Sequence, residues 1–206
     1  MNTLEPLLSD GLSAFGLTSD VEQRQRLLAF LGLLRKWNRV YNLTAIVDPV
    51  DMLRLHLLDS LSIAPYLRGE TILDVGTGAG LPGIPLAVMR PDLQFTLVDS
   101  NAKKTRFAQQ AAIELRLRNV TVATSRIETF QASHGFDIIL ARAYAALADI
   151  VAQTARLLNP GGMILASKGR RPDEEIQVLK NVMVETFPLH VPGVDAERHL
   201  VAITIP

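Results

Sequence analysis

The residues with the clearest chemical capacity lie in Ile72-Leu73-Asp74-Val75-Gly76-Thr77-Gly78-Ala79-Gly80-Leu81-Pro82-Gly83, where an apolar run meets three alternating glycines. A backbone that turns sharply, takes positive φ and lets a ligand approach without a Cβ in the way needs glycine at such points. A helix beginning beyond the turn offers that ligand free N–H groups. The segment therefore reads as a binding turn at the C-terminal end of the first strand of a parallel sheet. Two ligands compete for it. Gly78, Gly80 and Gly83 satisfy the spacing of a dinucleotide fingerprint, with Asp99 twenty-one residues after Gly78 to hold a ribose. Asp74 argues the other way. Read as facing the ligand space from the strand end, its carboxylate repels a pyrophosphate and suits a cationic, amino-acid-bearing cofactor such as S-adenosylmethionine. A turn that binds nothing is the plain alternative.

The spacing Asp74-x-Gly76-x-Gly78-x-Gly80 resembles the first motif of the Rossmann-like methyltransferases, and Asp99, closing Leu97-Val98-Asp99, resembles their ribose-binding acid. Missing residues then narrow the acceptor. The chain has no cysteine, which removes methylation of cytosine C5 through a covalent cysteine adduct. Methyltransferases of exocyclic amines commonly carry Asn/Asp-Pro-Pro-aromatic after the fourth strand, whereas this chain has Ala141-Arg142-Ala143-Tyr144. A ring nitrogen with an exposed lone pair, such as guanine N7, needs no deprotonation before attack, so in-line positioning does most of the work. Arg142 at the mouth of the fourth strand is the candidate to hold guanine O6. A surface or cofactor-side arginine is the competing reading.

These residues must be positioned by a βαβα framework. Runs Thr71 to Val75, Phe95 to Val98, Val120 to Ala123, Phe136 to Leu140 and Met163 to Ala166 read as strands, and Ala102 to Leu117 and Leu147 to Leu158 as helices between them. Asn159-Pro160-Gly161-Gly162 reads as the stop of the second helix. Val182 to Leu189 and Leu200 to Ile205 add two strands around a Pro192-Gly193 turn. The fold class is α/β: a Rossmann-like, mostly parallel seven-stranded sheet with helices on both faces. Residues 1–66 read as a helical cap packed on that domain, which spans 67–206. In the cap, Leu4, Leu7, Leu8, Leu12 and Phe15 repeat at helical spacing. Ser19 and Glu22 form a capping box ahead of Leu27, Phe30, Leu31, Leu34 and Trp37; Pro49 opens a third helix and Pro65 closes the region. Trp37 reads as core, and His56 and Asp59, three apart, as a pair holding cap to sheet.

Composition excludes whole classes. At 206 residues with 48% hydrophobic and 20% charged residues, the chain can build a real core and is not a disordered one. Its longest apolar stretch, Leu27 to Leu34, is too short for a membrane span, and the N-terminus lacks a basic leader; the expectation is a cytoplasmic protein with no membrane partner. Without cysteine, and with His56, His134, His190 and His199 scattered, no metal site is expected. Twenty-one basic residues balance twenty-one acidic ones, but unevenly. Arg24, Arg26, Arg35, Lys36 and Arg39 have no acid among them, and Lys103, Lys104, Arg106, Arg116, Arg118 and Arg126 face only Glu114. Solvated helix faces explain such runs; so does a polyanionic partner gripped from two sides.

Several spaced motifs together resemble the family of ribosomal RNA small subunit methyltransferase G, also called glucose-inhibited division protein B. They are Lys36-Trp37-Asn38 with Tyr41-Asn42-Leu43-Thr44, His56-Leu57-Leu58-Asp59-Ser60, Asp74 to Pro85, Ser125-Arg126-Ile127-Glu128, Arg142-Ala143, Lys168-Gly169 and Glu197-Arg198-His199-Leu200. The resemblance implies methyl transfer from S-adenosylmethionine to guanine N7 in a hairpin loop of bacterial 16S rRNA near the decoding centre. It also implies donor contacts by Gly76, Leu81, Ile127, Glu128 and Arg142. Asp74, Gly78 and Asp99 join them from the turn chemistry, and Arg142 and Arg126 are assigned to orient the reactants, with no general base. Lys168 and Arg198 are candidates for phosphate or the target nucleotide. A monomer acting on the small ribosomal subunit is expected. A nicotinamide dehydrogenase, a non-catalytic RNA-binding or assembly factor and a small-molecule methyltransferase are the rival readings.

Overall fold

The structure, a computed structural model, describes residues 3–205. Its first part is helical: α1 (Leu4–Ala14), α2 (Val21–Tyr41) and a composite helix. That helix runs as α3 (Pro49–Met52), a π-helical stretch (Leu53–Leu58) and α4 (Asp59–Leu61), before a 3-10 turn at Ala64–Tyr66. Then follow β1 (Thr71–Val75), α5 (Gly83–Met89), β2 (Gln94–Asp99), α6 (Ala102–Glu114), β3 (Val120–Thr124) and β4 (Phe136–Arg142). The chain continues through α7 (Leu147–Thr154), β5 (Leu158–Lys168), α8 (Asp173–Gln177), β6 (Met183–Pro188) and β7 (His199–Thr204). Among the described residues no helix is long and apolar enough to cross a membrane.

The seven strands lie in the order β3-β2-β1-β4-β5-β7-β6. The first five are mutually parallel, and β7 runs antiparallel to both β5 and β6. Successive connections move one way from β1 to β3 and the other way from β4 to β5. Ligand-binding loops in open α/β sheets gather at that reversal, outside the carboxyl ends of the strands, and β1 and β4 end there in Val75 and Arg142.

The central strands are buried on both faces, and successive side chains, pointing to opposite faces, join two different apolar clusters. Ile72, Phe95, Leu97, Ile138, Leu140 and Leu165 belong to the apolar cluster shared with the N-terminal helices, α5 and α6. Leu73, Val75, Val98, Ile139, Ala141 and Ile164 belong to the cluster under α7. The N-terminal helices share the first of these clusters: Phe30 and the half-buried Trp37 of α2 meet Phe107 of α6 at 6.0 and 5.6 Å between ring centroids.

Three local readings need correction. The capping box of α2 is Asp20 with Gln23: Asp20 Oδ1 accepts from the Gln23 amide at 2.7 Å, and Gln23 Oε1 accepts from the Asp20 amide at 3.0 Å. The Ser19-Glu22 frame sat one residue early; Ser19 instead gives its carbonyl to Arg24. Asn159-Pro160-Gly161-Gly162 lies inside β5, after a helix that ends at Thr154 and tightens into a 3-10 turn over Ala155–Leu157. The β4–β5 register shifts between Phe136 and Ile138, and this run absorbs the extra residues as a bulge, where proline and glycine are tolerated. The predicted His56–Asp59 pair does not form. His56 Nε2 instead meets the Thr44 hydroxyl, and the Asp59 carboxylate is taken up by Arg142 and Arg198, on a helix that winds with i→i+5 bonds over Leu53–Leu58.

Candidate active site

Gly76, Gly78 and Gly80 all have positive φ, at 65, 58 and 76°. The turn is anchored on β2, where the Val98 carbonyl accepts from the amides of Gly76 (2.8 Å) and Thr77 (3.1 Å). Asp99 ties the same two elements from its side chain: Oδ2 accepts from the Gly78 amide at 2.9 Å and Oδ1 from the Asn101 amide at 2.8 Å. A Cβ on Gly76 would collide with the Tyr144 ring, and the space beside Gly78 is open. The glycines thus leave a backbone surface that something other than protein can approach.

Asp74 behaves differently from the sequence expectation. Its carboxylate does not face the ligand space; it is 1% exposed beneath the turn. One oxygen, Oδ2, accepts both from the Thr77 hydroxyl (2.6 Å) and from the Gly83 amide at the start of α5 (2.9 Å). The other, Oδ1, is buried without a hydrogen-bond partner. Burial pushes the Asp74 carboxyl up to about 6, against the opposing pull of those two hydrogen bonds. Asp74 therefore shapes the turn and places a buried charge under it, and lines neither cavity described next.

Two adjoining cavities open around the turn. The smaller, about 240 Å³, is lined by Asp99, Ser125, Arg126, Ile127, Glu128 and Tyr144, among others. Ile127 is buried and Glu128 exposed on a 3-10 turn, Ile127–Thr129, after β3. A residue the sequence reading missed holds that turn. Arg156 Nη2 donates to the carbonyls of Ile127 (2.7 Å) and Phe130 (2.9 Å). No local pattern marks Arg156 for this task, because its targets lie some thirty residues away in the chain.

The larger cavity, about 590 Å³, shares Gly76, Lys104 and Ala143 with the smaller one. Leu81, Gly78, His56, Asp59, Arg142, Lys168 and Arg198 also line it. Its far wall comes from the helical region. Asn38 of α2 clamps Thr44, donating to its carbonyl at 2.9 Å and accepting from its amide at 2.8 Å. The Thr44 hydroxyl accepts from Ile46 N–H and meets His56 Nε2 at 2.9 Å. Burial pushes the His56 imidazole down to about 4, with Arg142 adding in the same direction, so His56 is neutral around neutral pH.

Asp59 joins three segments. Its Oδ2 accepts from Arg142 Nη1 at 3.0 Å and its Oδ1 from Arg198 Nε at 2.8 Å. Arg142 Nη1 also reaches the Leu55 carbonyl at 3.4 Å. Lys168 is engaged as well, with Nζ 2.8 Å from Glu175 Oε2 and 3.0 Å from the Ala145 carbonyl. The acids shared by these cations number fewer than the cations, and Lys104 adds another, so the cavity wall is net positive. Ala143, beside Arg142, sits in the left-handed region at φ 49°, a conformation that costs a residue with a Cβ about 1–2 kcal/mol. Strain of this kind persists where surrounding structure dictates the path, here between the two cavities.

The structure thus gathers Gly76, Gly78, Leu81, Asp99, Arg126, Ile127, Glu128 and Arg142 around one continuous space and leaves Asp74 outside it. Thr44, Lys104, Ala143 and Tyr144, which stood in the quoted motifs and the second basic run without an assigned donor contact, join that lining. The first basic run is thinned, since Arg24 pairs with Glu5 and Arg26 with Glu22.

Comparison with known proteins adds an independent line. Residues 23–201 match the model of the GidB family, rRNA small subunit methyltransferase G. The chain is similar to ribosomal RNA small subunit methyltransferase G of Methylococcus capsulatus, 58% identical over 195 residues, covering 94% of this chain and 95% of the relative. It is also similar to the protein of that name from Nitrosococcus oceani, 52% identical over 201 residues, covering 97% and 94%. Among solved structures, the N-methyltransferase NodS of Bradyrhizobium japonicum WM9 in complex with S-adenosyl-l-homocysteine superposes with a TM-score of 0.59 at 16% identity. That match covers 84% of this chain and 98% of NodS, and at this identity it shows the methyltransferase fold.

Proposed function

Because the chain belongs to the rRNA small subunit methyltransferase G family, we propose that it transfers a methyl group from S-adenosylmethionine to N7 of a guanine in the 16S rRNA of the small ribosomal subunit. The observation that carries the reading is the pair of cavities meeting at Gly76 and Ala143, one lined by Asp99, Ile127 and Glu128, the other larger and basic. Asp99 at the end of β2 suits a ribose, and Ile127 offers an apolar contact for a base beside the polar Glu128. Gly76 and Gly78 let the donor pass over the turn, and Leu81 closes it from the α5 side. Arg142 faces both reactants from the strand end, and Arg126 closes the rim of the smaller cavity. When bound, S-adenosylmethionine supplies a methyl carbon made electrophilic by the adjoining sulfonium.

The nucleophile is the N7 lone pair, so no side chain has to remove a proton before attack. Catalysis then rests on holding acceptor and methyl in line while water is kept out. Positive charge moves onto the purine as the methyl transfers, and His56, being neutral, adds no opposing cation. Arg142 is oriented by Asp59 and Leu55 through Nη1, which leaves the rest of its fork to reach guanine O6. Lys104, Lys168 and Arg198 give the cavity the sign that RNA phosphates require. The helices of 1–66 and the sheet of 67–206 supply opposite walls of this cavity and work as one unit, in a cytoplasmic monomer. The test is incubation with tritiated S-adenosylmethionine and small subunits from cells lacking this protein, followed by nucleoside analysis. Label in 7-methylguanosine is expected; label in any other nucleoside, or none, overturns the assignment.

A further inference from the structure

A third cavity, of about 450 Å³, lies away from the β-strand ends, between α2 and the helices that flank it. Leu28, Leu31 and Met52 form an apolar floor, and Arg35, Lys36 and Arg39 edge it. Those three cations are exposed and make no ion pair among the described residues, unlike Arg24 and Arg26 earlier on the same helix. Among the described residues no acid lines the cavity.

Gly32 supplies an independent observation. It lies well inside the 21-residue α2, takes no left-handed φ, is exposed, and a Cβ built there meets nothing within 4 Å. Neither backbone conformation nor packing asks for glycine, and glycine is a poor helix former. What its absent side chain leaves is a gap in the groove floor, directly flanked by the unpaired cations. α2 also reaches the acceptor cavity's surroundings: six residues on from Gly32, a rise of about 9 Å, Asn38 clamps Thr44 at that cavity's wall.

We propose that this groove is a second nucleotide-binding site, taking an unpaired nucleotide of the same RNA whose guanine enters the active site, with its base over Gly32 and its phosphates at Arg35, Lys36 and Arg39. Single-stranded RNA offers flat apolar base faces beside charged phosphates, the pattern of this groove, and splayed bases pack on apolar side chains. A nucleotide of the same polymer needs no separate encounter, because α2 lines this groove and, through Asn38 and Thr44, supports the wall of the acceptor cavity. The inference rests on the RNA acceptor proposed above.

The test uses the full chain with two variants, Gly32→Leu and the triple variant R35E/K36E/R39E. Methylation kinetics are measured on intact small subunits lacking the methyl group, and binding of protein-free small-subunit rRNA across a potassium chloride series. Gly32→Leu adds a Cβ that meets nothing within 4 Å and replaces a poor helix former, so its melting temperature is expected not to fall, while KM for subunits rises at least about fivefold with kcat and donor affinity kept. The triple variant is expected to bind protein-free RNA at least about tenfold more weakly, with a salt slope lower by about 2, as three lost phosphate contacts dictate. Unchanged KM and unchanged salt slope in both variants would overturn the groove. Loss on intact subunits with no loss on protein-free RNA would overturn it in favour of a protein segment of the particle. Failure of the wild-type protein itself to label subunits would instead sink the acceptor reading.

Discussion

Replacing Asp74 by asparagine is a sharp test of how the glycine turn is held. Asp74 is buried, and its carboxyl is pushed up to about 6 from an ordinary 3.8. An acid whose folded-state pKa is raised binds its proton more tightly in the native state, so stability is greatest below the unfolded value and is lost as pH rises through the folded one. At 1.36 kcal/mol for each tenfold in proton affinity, that interval corresponds to about 3 kcal/mol lost between about pH 4 and pH 6. Both hydrogen bonds, from Thr77 and from Gly83, end on the same oxygen, Oδ2. Asparagine can present one carbonyl oxygen there and keep the turn, while its amide replaces the unpartnered Oδ1 without a charge.

The pH profile of the native protein alone would hide this. His56, pushed down to about 4, loses stability in the opposite direction as pH falls from about 6.5, and the two effects nearly cancel. The measured quantity is therefore the difference between variant and native protein, from chemical or thermal unfolding across that range. Asp74→Asn is expected to match the native protein near pH 4 and to exceed it by about 3 kcal/mol above pH 6, a melting difference of roughly 6–12 °C for a domain of this size. Donor affinity by calorimetry is expected to drop about tenfold at pH 8, where the buried charge is lost, and to be equal near pH 4. A difference in stability that does not vary with pH would refute the assignment of a costly, ionised Asp74.

Other changes bear on the remaining parts of the site. Gly78→Asp puts a second carboxylate beside Asp99 and a Cβ at φ 58°, so donor binding measured by calorimetry should be lost while the melting temperature falls only modestly, by about 1–2 kcal/mol of stability. Arg142→Ala should remove most methyl transfer, by about a hundredfold or more, yet leave a cooperative melt, because Arg198 still pairs with Asp59. Arg156→Ala frees the carbonyls of Ile127 and Phe130, and should raise KM for the donor several-fold with kcat for bound donor kept, about 1 kcal/mol of lost positioning.

Wherever the chemistry depends on neighbours in the chain, the sequence exposed it. Asp74 through Gly83 is contiguous, and alternating glycines after an apolar run are legible as a turn because positive φ restricts which residues can stand there. Asp99 follows from the strand it ends, whereas Ile127 and Glu128, which line the smaller cavity, were reached only through the resemblance to a family. Misread details were those that distant partners or an irregular backbone decided. His56 was taken by Thr44 and Asp59 by Arg142 and Arg198, and a bulge carried Asn159 to Gly162 into β5 when proline and glycine suggested an end.

The sequence by itself determined the seven strands and their order along the chain, the main helices between them and the location of the ligand turn, because these follow from periodicities of two and 3.6 and from the restricted backbone of glycine and proline. Periodicity says which way a side chain points and is silent about what it meets. Only the tertiary structure decided that Asp59 would be shared by Arg142 and Arg198, 83 and 139 residues away in the chain. It alone sank Asp74 beneath the turn instead of beside the ligand, and left Arg35, Lys36 and Arg39 without an ion pair among the described residues where Arg24 found Glu5 on another helix. The reason is common to all three: the charge of a side chain is written in its type, but its partner and its dielectric surroundings are set by packing between distant segments.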